Sequence, residues 1–389
     1  MNILITSDNF LPGVGGTENA VLGLATSLTE QNHNVLLIVP HYGGGEQEND
    51  NNFPFKIFRQ RSIKIDKNNY YASPFYSKKL DKIVQDFKPD IIHCHSQASM
   101  LSIALKIKNK YKIPCVCTIH TKFSYCYKNT IKSDLIVKIL CKNIGKKLKK
   151  VDRVIAVSKD MATEFKKYGY NGDFDIVKNG ANLKQVDNYE QIKDIAIKEI
   201  DMEQNANNLL FVGYISKVKN IDFIIDSLEI LNKSFENFKM YLVGSGDNEK
   251  YFKQRVNNST IKDKTIFTGK ITDKQLLSSI YYNSKLFIFP STFDNDSLAI
   301  IESATFETPS ITLENTGSSE RITNDVNGFV VKDDPNAMAQ KIEYLLTHQD
   351  ILSNVGYKAK MELPKTWLSA SQEYLAIYQK AIDSYPNKN

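Results

Sequence analysis

The sequence predicts two α/β domains, each a doubly wound, Rossmann-like parallel sheet. Three observations predict it. Short Val/Ile/Leu/Phe runs alternate with helix-length segments along the whole chain, the series restarts near residue 207, and 389 residues suffice for two cores.

The first series of strand-like runs covers 3–6, 35–39, 91–94, 115–119, 154–157 and 175–177. The second covers 209–212, 240–243, 265–267, 286–289, 310–313 and 329–331. Most are continuously apolar rather than alternating, and Gly, Pro, Asn or Asp bound them. That is the pattern of parallel strands covered on both faces. Helices fall between them. Thr17 caps a helix over 17–30, Ser158 caps one over 159–168, and Asp334 with Pro335 opens one over 335–346. Residues 182–208 carry few strand signals and read as a linker. The closing segment, 367–383, is a helix with no strand to follow, apolar at Leu368, Tyr374, Leu375, Ile377, Tyr378 and Ile382. The expected domains are therefore 1–182, with 367–389 returning to it, and 183–366.

Composition bounds the function. Hydrophobic content is 42% and charged content 24%, which excludes wholesale disorder. No apolar run approaches the length of a membrane helix. The N-terminus enters a strand directly, without a basic leader or cleavage site, so no signal peptide is expected. Five cysteines, an odd number without a Cys-x-x-Cys pair, indicate a reduced, cytoplasmic compartment. A zinc site with His93, His95 or His120 is the less favoured reading. Residues 101–150 hold 13 lysines and one acid, a charge of +12 in a chain of +6, so the remainder carries −6. Such a patch suits an anionic surface: membrane, polyanion or nucleic acid. Within it Ile131, Leu135, Ile139, Leu140, Ile144 and Leu148 fall on helical spacing among lysines, as in a helix lying on an anionic bilayer or packing on the domain's own sheet. Few stacking aromatics interleave it, so nucleic acid is not expected as a partner.

Four motifs carry chemistry. After the first strand, Gly13, Gly15 and Gly16 allow the backbone to approach a ligand, and the helix N-terminus behind them suits a phosphate. The same loop also fits a plain βα turn. After the first strand of the second half, Lys217 and Lys219 stand where a diphosphate could be neutralised. The strand at 286–289 delivers Asp294 and Asp296. Ser297 caps the next helix, the N–H groups near Ser297 and Leu298 suit a phosphate, and Glu302 is placed to bind ribose hydroxyls. Finally, His120 closes a strand at the ligand-facing edge of its sheet.

In order and spacing these residues resemble glycosyltransferase family 4, the retaining GT-B enzymes also called glycosyl transferases group 1. The early Pro12, Gly15, Gly16 and Glu18 are similar to its N-terminal glycine loop, and His120-Thr121 to its catalytic-loop His. Val154–Ser158, Asn179-Gly180, Phe211-Val-Gly213 with Lys219, the 242–246 and 267–270 stretches ending at Gly246 and Lys270, and Glu302 resemble further family signatures. The resemblance implies two Rossmann-like domains facing a central cleft, with the nucleotide-sugar donor on the second and the acceptor on the first. His120 and Asp294 would be catalytic. Gly15, Gly16, Lys217, Lys219, Lys270, Ser297, Leu298 and Glu302 would bind the donor. No cofactor and no metal is implied, because helix N-termini and lysines stabilise the leaving diphosphate. Two positions depart from the family. Tyr214 stands where it has a diphosphate-binding Arg, and Asp294 where it has the first Glu of Glu-x7-Glu. The function expected is hexose transfer, from a uridine diphosphate sugar by family frequency, to a lipid or surface-glycan acceptor. The expected location is the cytoplasm, peripheral at the inner membrane face. Alternatives are an inactive partner subunit and a nucleotide-sugar epimerase of the same fold.

Overall fold

The computed structural model describes residues 1–13, 15–41, 50–64, 70–72, 76–181, 189–204 and 206–386. Its internal contacts divide the chain into two compact units, Met1–Asn182 with Lys365–Asn389, and Leu183–Pro364.

In chain order the first unit comprises β1 (Asn2–Thr6), α1 (Gly16–Glu30), β2 (Asn34–Pro40), β3 (Lys56–Gln60), β4 (Ser62–Lys64), β5 (Tyr70–Ala72), α2 (Lys78–Phe87), β6 (Ile91–Cys94), α3 (Ser99–Tyr111), β7 (Cys115–Ile119), α4 (Phe123–Thr130), α5 (Asp134–Leu148), β8 (Arg153–Ala156), α6 (Lys159–Lys167) and β9 (Phe174–Ile176). Seven of these strands form one parallel sheet in the order β3-β2-β1-β6-β7-β8-β9. β4 and β5 pair separately as an antiparallel hairpin. The winding reverses between β1 and β6, so the crevice at their carboxyl ends is where an open α/β sheet binds ligands.

The second unit continues with α7 (Ile195–Ile200), β10 (Asn208–Val212), α8 (Ile221–Leu231), β11 (Lys239–Val243), α9 (Glu249–Asn257), β12 (Thr265–Gly269), α10 (Lys274–Tyr282), β13 (Leu286–Phe289), α11 (Leu298–Thr305), β14 (Ser310–Leu313), β15 (Phe329–Val331), α12 (Pro335–Thr347) and α13 (Gln349–Glu362). Its sheet is also parallel, in the order β12-β11-β10-β13-β14-β15, and reverses between β10 and β13. β10 and β13 are central and buried, as their continuous apolar runs require. Residues 189–204, expected as linker, belong to this unit. Ala196 is buried and its N–H donates to Ser279 Oγ at 2.9 Å. The other expected linker positions at 182–188 and 205 lie outside the described residues.

The last helix, α14 (Trp367–Asp383), covers one face of the first unit's sheet. Successive residues of β1 divide between its two faces: Ile3 and Ile5 meet α1 and α14, while Leu4 faces α3 and α5. Trp367, Ala370, Tyr374, Ile377, Tyr378 and Ala381 form the buried stripe of α14. Leu368, expected in that stripe, is exposed. Gly23 of α1 lies so close that a Cβ there would stand 2.2 Å from the Trp367 indole. Burying each of the large aromatic side chains of this stripe is worth roughly 1.5–3 kcal/mol, which fastens the helix without a strand. No described helix is long and apolar enough to cross a membrane.

Candidate functional site

At the second switch point the loop after β10 must pass close to the loop after β11. Gly213 N–H donates to the Val243 carbonyl at 3.0 Å and Ile215 N–H to Ser245 at 3.1 Å. Gly244 has φ +137°, and a Cβ there would stand 1.9 Å from the Gly213 carbonyl oxygen, so only glycine fits. The chain then makes a short 3-10 turn, Lys217–Lys219. Asn220, in the left-handed region, reaches across to the Pro290 carbonyl at 3.3 Å. This ties the β10 loop to the β13 loop, and Lys219 Nζ lies 2.7 Å from both carboxylate oxygens of Asp294. Their side chains are only 17% and 20% exposed, a forked ion pair largely withdrawn from water.

The three acids of the β13 loop and α11 therefore have three different partners. Asp294 holds Lys219. Asp296 holds Arg321 in a forked, almost wholly buried pair, with Arg321 Nη2 to Oδ2 at 2.8 Å. Glu302 accepts from the buried Tyr281 hydroxyl at 3.2 Å, and burial raises its carboxyl above the usual range while that bond lowers it. A third loop locks the acidic one: Ser318 Oγ donates to the Asp294 carbonyl at 3.4 Å, and a Cβ on Gly317 would stand 2.6 Å from Asn295 Cα. Ser297 precedes α11 in extended conformation but makes no side-chain cap, contrary to expectation, and Leu298 is the first helical residue. Lys217 parts from Lys219, its ammonium lying 4.6 Å from the Tyr251 ring centroid. Lys270 is exposed just beyond β12. Tyr214 is 48% exposed, its phenol pushed up by burial and by its hydrogen bond to Asp247.

At the first switch point the imidazoles are neutral. His95 Nδ1 and His120 Nε2, at the ends of β6 and β7, are 3.0 Å apart. His93 binds Tyr378 Oη through Nδ1 at 2.5 Å and Thr118 Oγ1 through Nε2 at 2.7 Å. Burial depresses all three imidazoles, His120 to about 4 and the other two well below the ordinary value, with neighbouring histidines adding to the effect on His93 and His95. Asp8, just after β1, is buried and raised to about 6 because burial outweighs its bonds from the Ser99 hydroxyl and the Met100 N–H, 3.2 Å away, at the start of α3, and the nearby Lys147 charge. Cys94, Cys115 and Cys117 point to the opposite face of the sheet from His93 and Thr118, as the two-residue period of β6 and β7 requires. Cysteine and histidine therefore cannot share a metal there, and the described residues hold no His/Cys/Asp/Glu group arranged for one.

The glycine loop reads differently in three dimensions. Gly15, not Thr17, is the N-cap of α1, without a side-chain cap, and Gly16 begins the helix. A Cβ on Gly15 would stand 2.6 Å from Glu18 Oε2, so the space these glycines leave is taken by the Glu18 carboxylate. Val14 lies outside the described residues.

The lysine-rich α5 has two apolar faces, not one stripe. Val137, Cys141, Ile144 and Leu148 pack inward. Leu135, Ile136 and Ile139 are 69%, 49% and 50% exposed. Lys132, Lys138, Lys142 and Lys146 are exposed around them, while Lys147 turns inward to Ser102 Oγ at 2.9 Å.

Asp8, Tyr281 and Arg321 escaped the sequence reading of the site, and His95 entered it only as a zinc-ligand candidate. An acid directly after a central strand was a usable signal for Asp8. The partners of the other three are distant in sequence and gave none.

Residues 14–185 match the family described as Glycosyltransferase Family 4, and residues 192–362 that described as Glycosyl transferases group 1. The alpha-monoglucosyldiacylglycerol synthase of Streptococcus pneumoniae is 25% identical over 366 residues, covering 90% of this chain and 80% of the relative. That of Acholeplasma laidlawii is 23% identical over 80% of each chain. In fold the chain is similar to HepE of Anabaena in complex with UDP, with a TM-score of 0.78 at 16% identity over 98% of this chain and 100% of that one.

Proposed function

Since the chain belongs to glycosyltransferase family 4, the glycosyl transferases group 1, we propose that this glycosyltransferase moves a hexose, with retained anomeric configuration, from a uridine diphosphate sugar to a lipid acceptor at an anionic bilayer. The observation that carries the acceptor is the outer face of α5. Three exposed apolar side chains ringed by lysines have no structural task in a helix whose other face already packs. Such a face suits the boundary of an anionic bilayer, each lysine adding about 1 kcal/mol near the surface. The two synthases similar to this chain are named for glycolipid products, which supports the same reading.

On the donor side Lys219 takes the diphosphate. Its ammonium exchanges the Asp294 carboxylate for phosphate oxygens, and Asp294 is released to the sugar hydroxyls or the developing charge at the anomeric carbon. Leu298 and the preceding Ser297 offer N–H groups at the start of α11, and Glu302 binds the ribose. Lys217 and Lys270 complete the donor set we assign. His120 serves the sugar as a hydrogen-bond partner rather than a nucleophile. The lysines and helix dipole supply the charge stabilisation, so no metal is required, and a chelator should leave turnover unchanged.

The test is co-sedimentation with vesicles, followed by transfer from a panel of nucleotide sugars to diacylglycerol in those vesicles. Binding should favour anionic over neutral lipid and fall as salt screens the lysines, and the product anomer should match the donor. Equal or absent binding to both lipids would end the membrane reading and leave a polymer acceptor. Conversion of the donor to its epimer without acceptor and without net release of nucleoside diphosphate would instead identify an epimerase, and a donor left unchanged a silent partner subunit.

A further inference from the structure

We propose that His95 is a positioning residue that fixes His120 as the tautomer protonated on Nδ1. Both imidazoles are neutral near neutral pH, because burial holds them below their ordinary value. A bond between two neutral rings contains one proton, so across the 3.0 Å contact one nitrogen donates and the other accepts. The other nitrogen of His95 settles which. His95 Nε2 is buried and has no hydrogen-bond partner among the described residues. A proton on it would be a buried N–H without an acceptor, the rarer kind of unsatisfied group in folded proteins. With its proton on Nδ1 instead, His95 donates to His120 Nε2, and the His120 proton must sit on Nδ1.

The ring of His95 is held for this task. Its backbone N–H donates to the Thr6 carbonyl at 2.8 Å. His93 lies beside it, tilted by 41° with 4.0 Å between ring centroids, and is itself pinned by hydroxyls on both nitrogens. His120 meets the edge that carries Nδ1, with 18° between the ring planes. It follows that His120 carries an N–H at Nδ1, not a lone pair. It donates to a sugar hydroxyl or to developing negative charge, and at that nitrogen it is neither base nor nucleophile. This consequence rests on the placement of His120 at the donor sugar; the tautomer does not.

The experiment uses the full chain labelled with 15N-histidine and long-range 1H–15N correlation spectra, the His120 signals assigned by their loss in His120→Gln. We expect a protonated Nδ1 and an unprotonated Nε2 on His120. A protonated Nε2 in the wild-type chain overturns the proposal without any variant. Two variants then test positioning. His95→Asn keeps an amide donor near the place of Nδ1–H, whereas His95→Leu removes it. His95→Leu should let both His120 tautomers appear and lower kcat roughly tenfold, the worth of one misplaced hydrogen bond, with KM little changed. His95→Asn should restore both. Equal losses in the two variants would overturn the positioning role. Full turnover in both, with the expected tautomer in the wild type, would sink the placement of His120 at the sugar and leave the tautomer standing.

Discussion

The two sheets reverse at equivalent places, yet one crevice is lined by neutral imidazoles around a single carboxyl and the other by ion pairs. After β1, β6 and β7 stand three imidazoles held uncharged by burial and a carboxyl raised to about 6. After β10 and β13 stand Lys219 with Asp294 and Arg321 with Asp296, two forked ion pairs. The same winding thus places functional groups without dictating their chemistry. On the proposed assignment, the crevice that takes the diphosphate keeps its cations ready by pairing them, and the one that meets hydroxyls relies mostly on neutral donors and acceptors, which demand less desolvation energy.

The largest effect should come from breaking the more buried charged pair. Arg321→Leu leaves the Asp296 carboxyl in the interior without its main partner, and loss of one partner of such a pair costs about 3–5 kcal/mol. Denaturant unfolding of the variant measures it. A loss under about 1 kcal/mol would place Asp296 among solvated acids and erase the contrast between the crevices. Next, His120→Ala should lower kcat on the order of a hundredfold, as loss of a group acting on the reacting sugar does, while the melting temperature barely moves. A variant that unfolds but keeps normal specific activity in its folded fraction would make the neutral crevice purely structural. Smaller again, Lys219→Ala should weaken binding of uridine diphosphate about tenfold, through loss of one charge-assisted contact. Titration calorimetry reads this directly, and unchanged affinity would move the diphosphate elsewhere.

How legible these crevices were in the sequence follows the same division. The strands β2, β10 and β13 stood out because they are buried almost throughout and their runs are continuously apolar. The edge strand β3 did not, because Lys56, Arg59 and Gln60 interrupt it. The site positions at strand ends were legible from topology alone, but their partners were not. Asp296 read as one of three acids in one cluster until Arg321, from the loop after β14, proved to neutralise it. On α5 the spacing of apolar residues was visible, but it merged an inward face and an outward face into one stripe. Periodicity finds apolar positions and does not say which neighbour each will meet. The caps expected at Thr17 and Ser297 failed for a related reason: a residue of capping type marks a helix start, while the bond itself depends on local geometry.

The mildest test separates the units by pH. His120 has its folded value lowered from 6.5 to about 4. Below pH 6.5 the unfolded chain therefore binds more protons than the folded one, and stability is lost as pH falls. Between pH 7 and 5 this amounts to roughly 2 kcal/mol for His120. His93 and His95 act in the same direction. Asp8 opposes them: its folded value is raised from 3.8 to about 6, so the folded chain binds its proton first and gains about 1 kcal/mol over the same interval. Three imidazoles against one carboxyl leave a net loss toward acid. The sole tryptophan, Trp367, is buried on the first unit against α1, so its fluorescence follows that unit. The urea midpoint read from Trp367 should fall between pH 7 and pH 5. His120→Gln, which cannot take up the proton, should flatten that fall. A midpoint that holds or rises would mean that Asp8 outweighs the histidines, and that the first crevice is an acid-stabilised site rather than a neutral one.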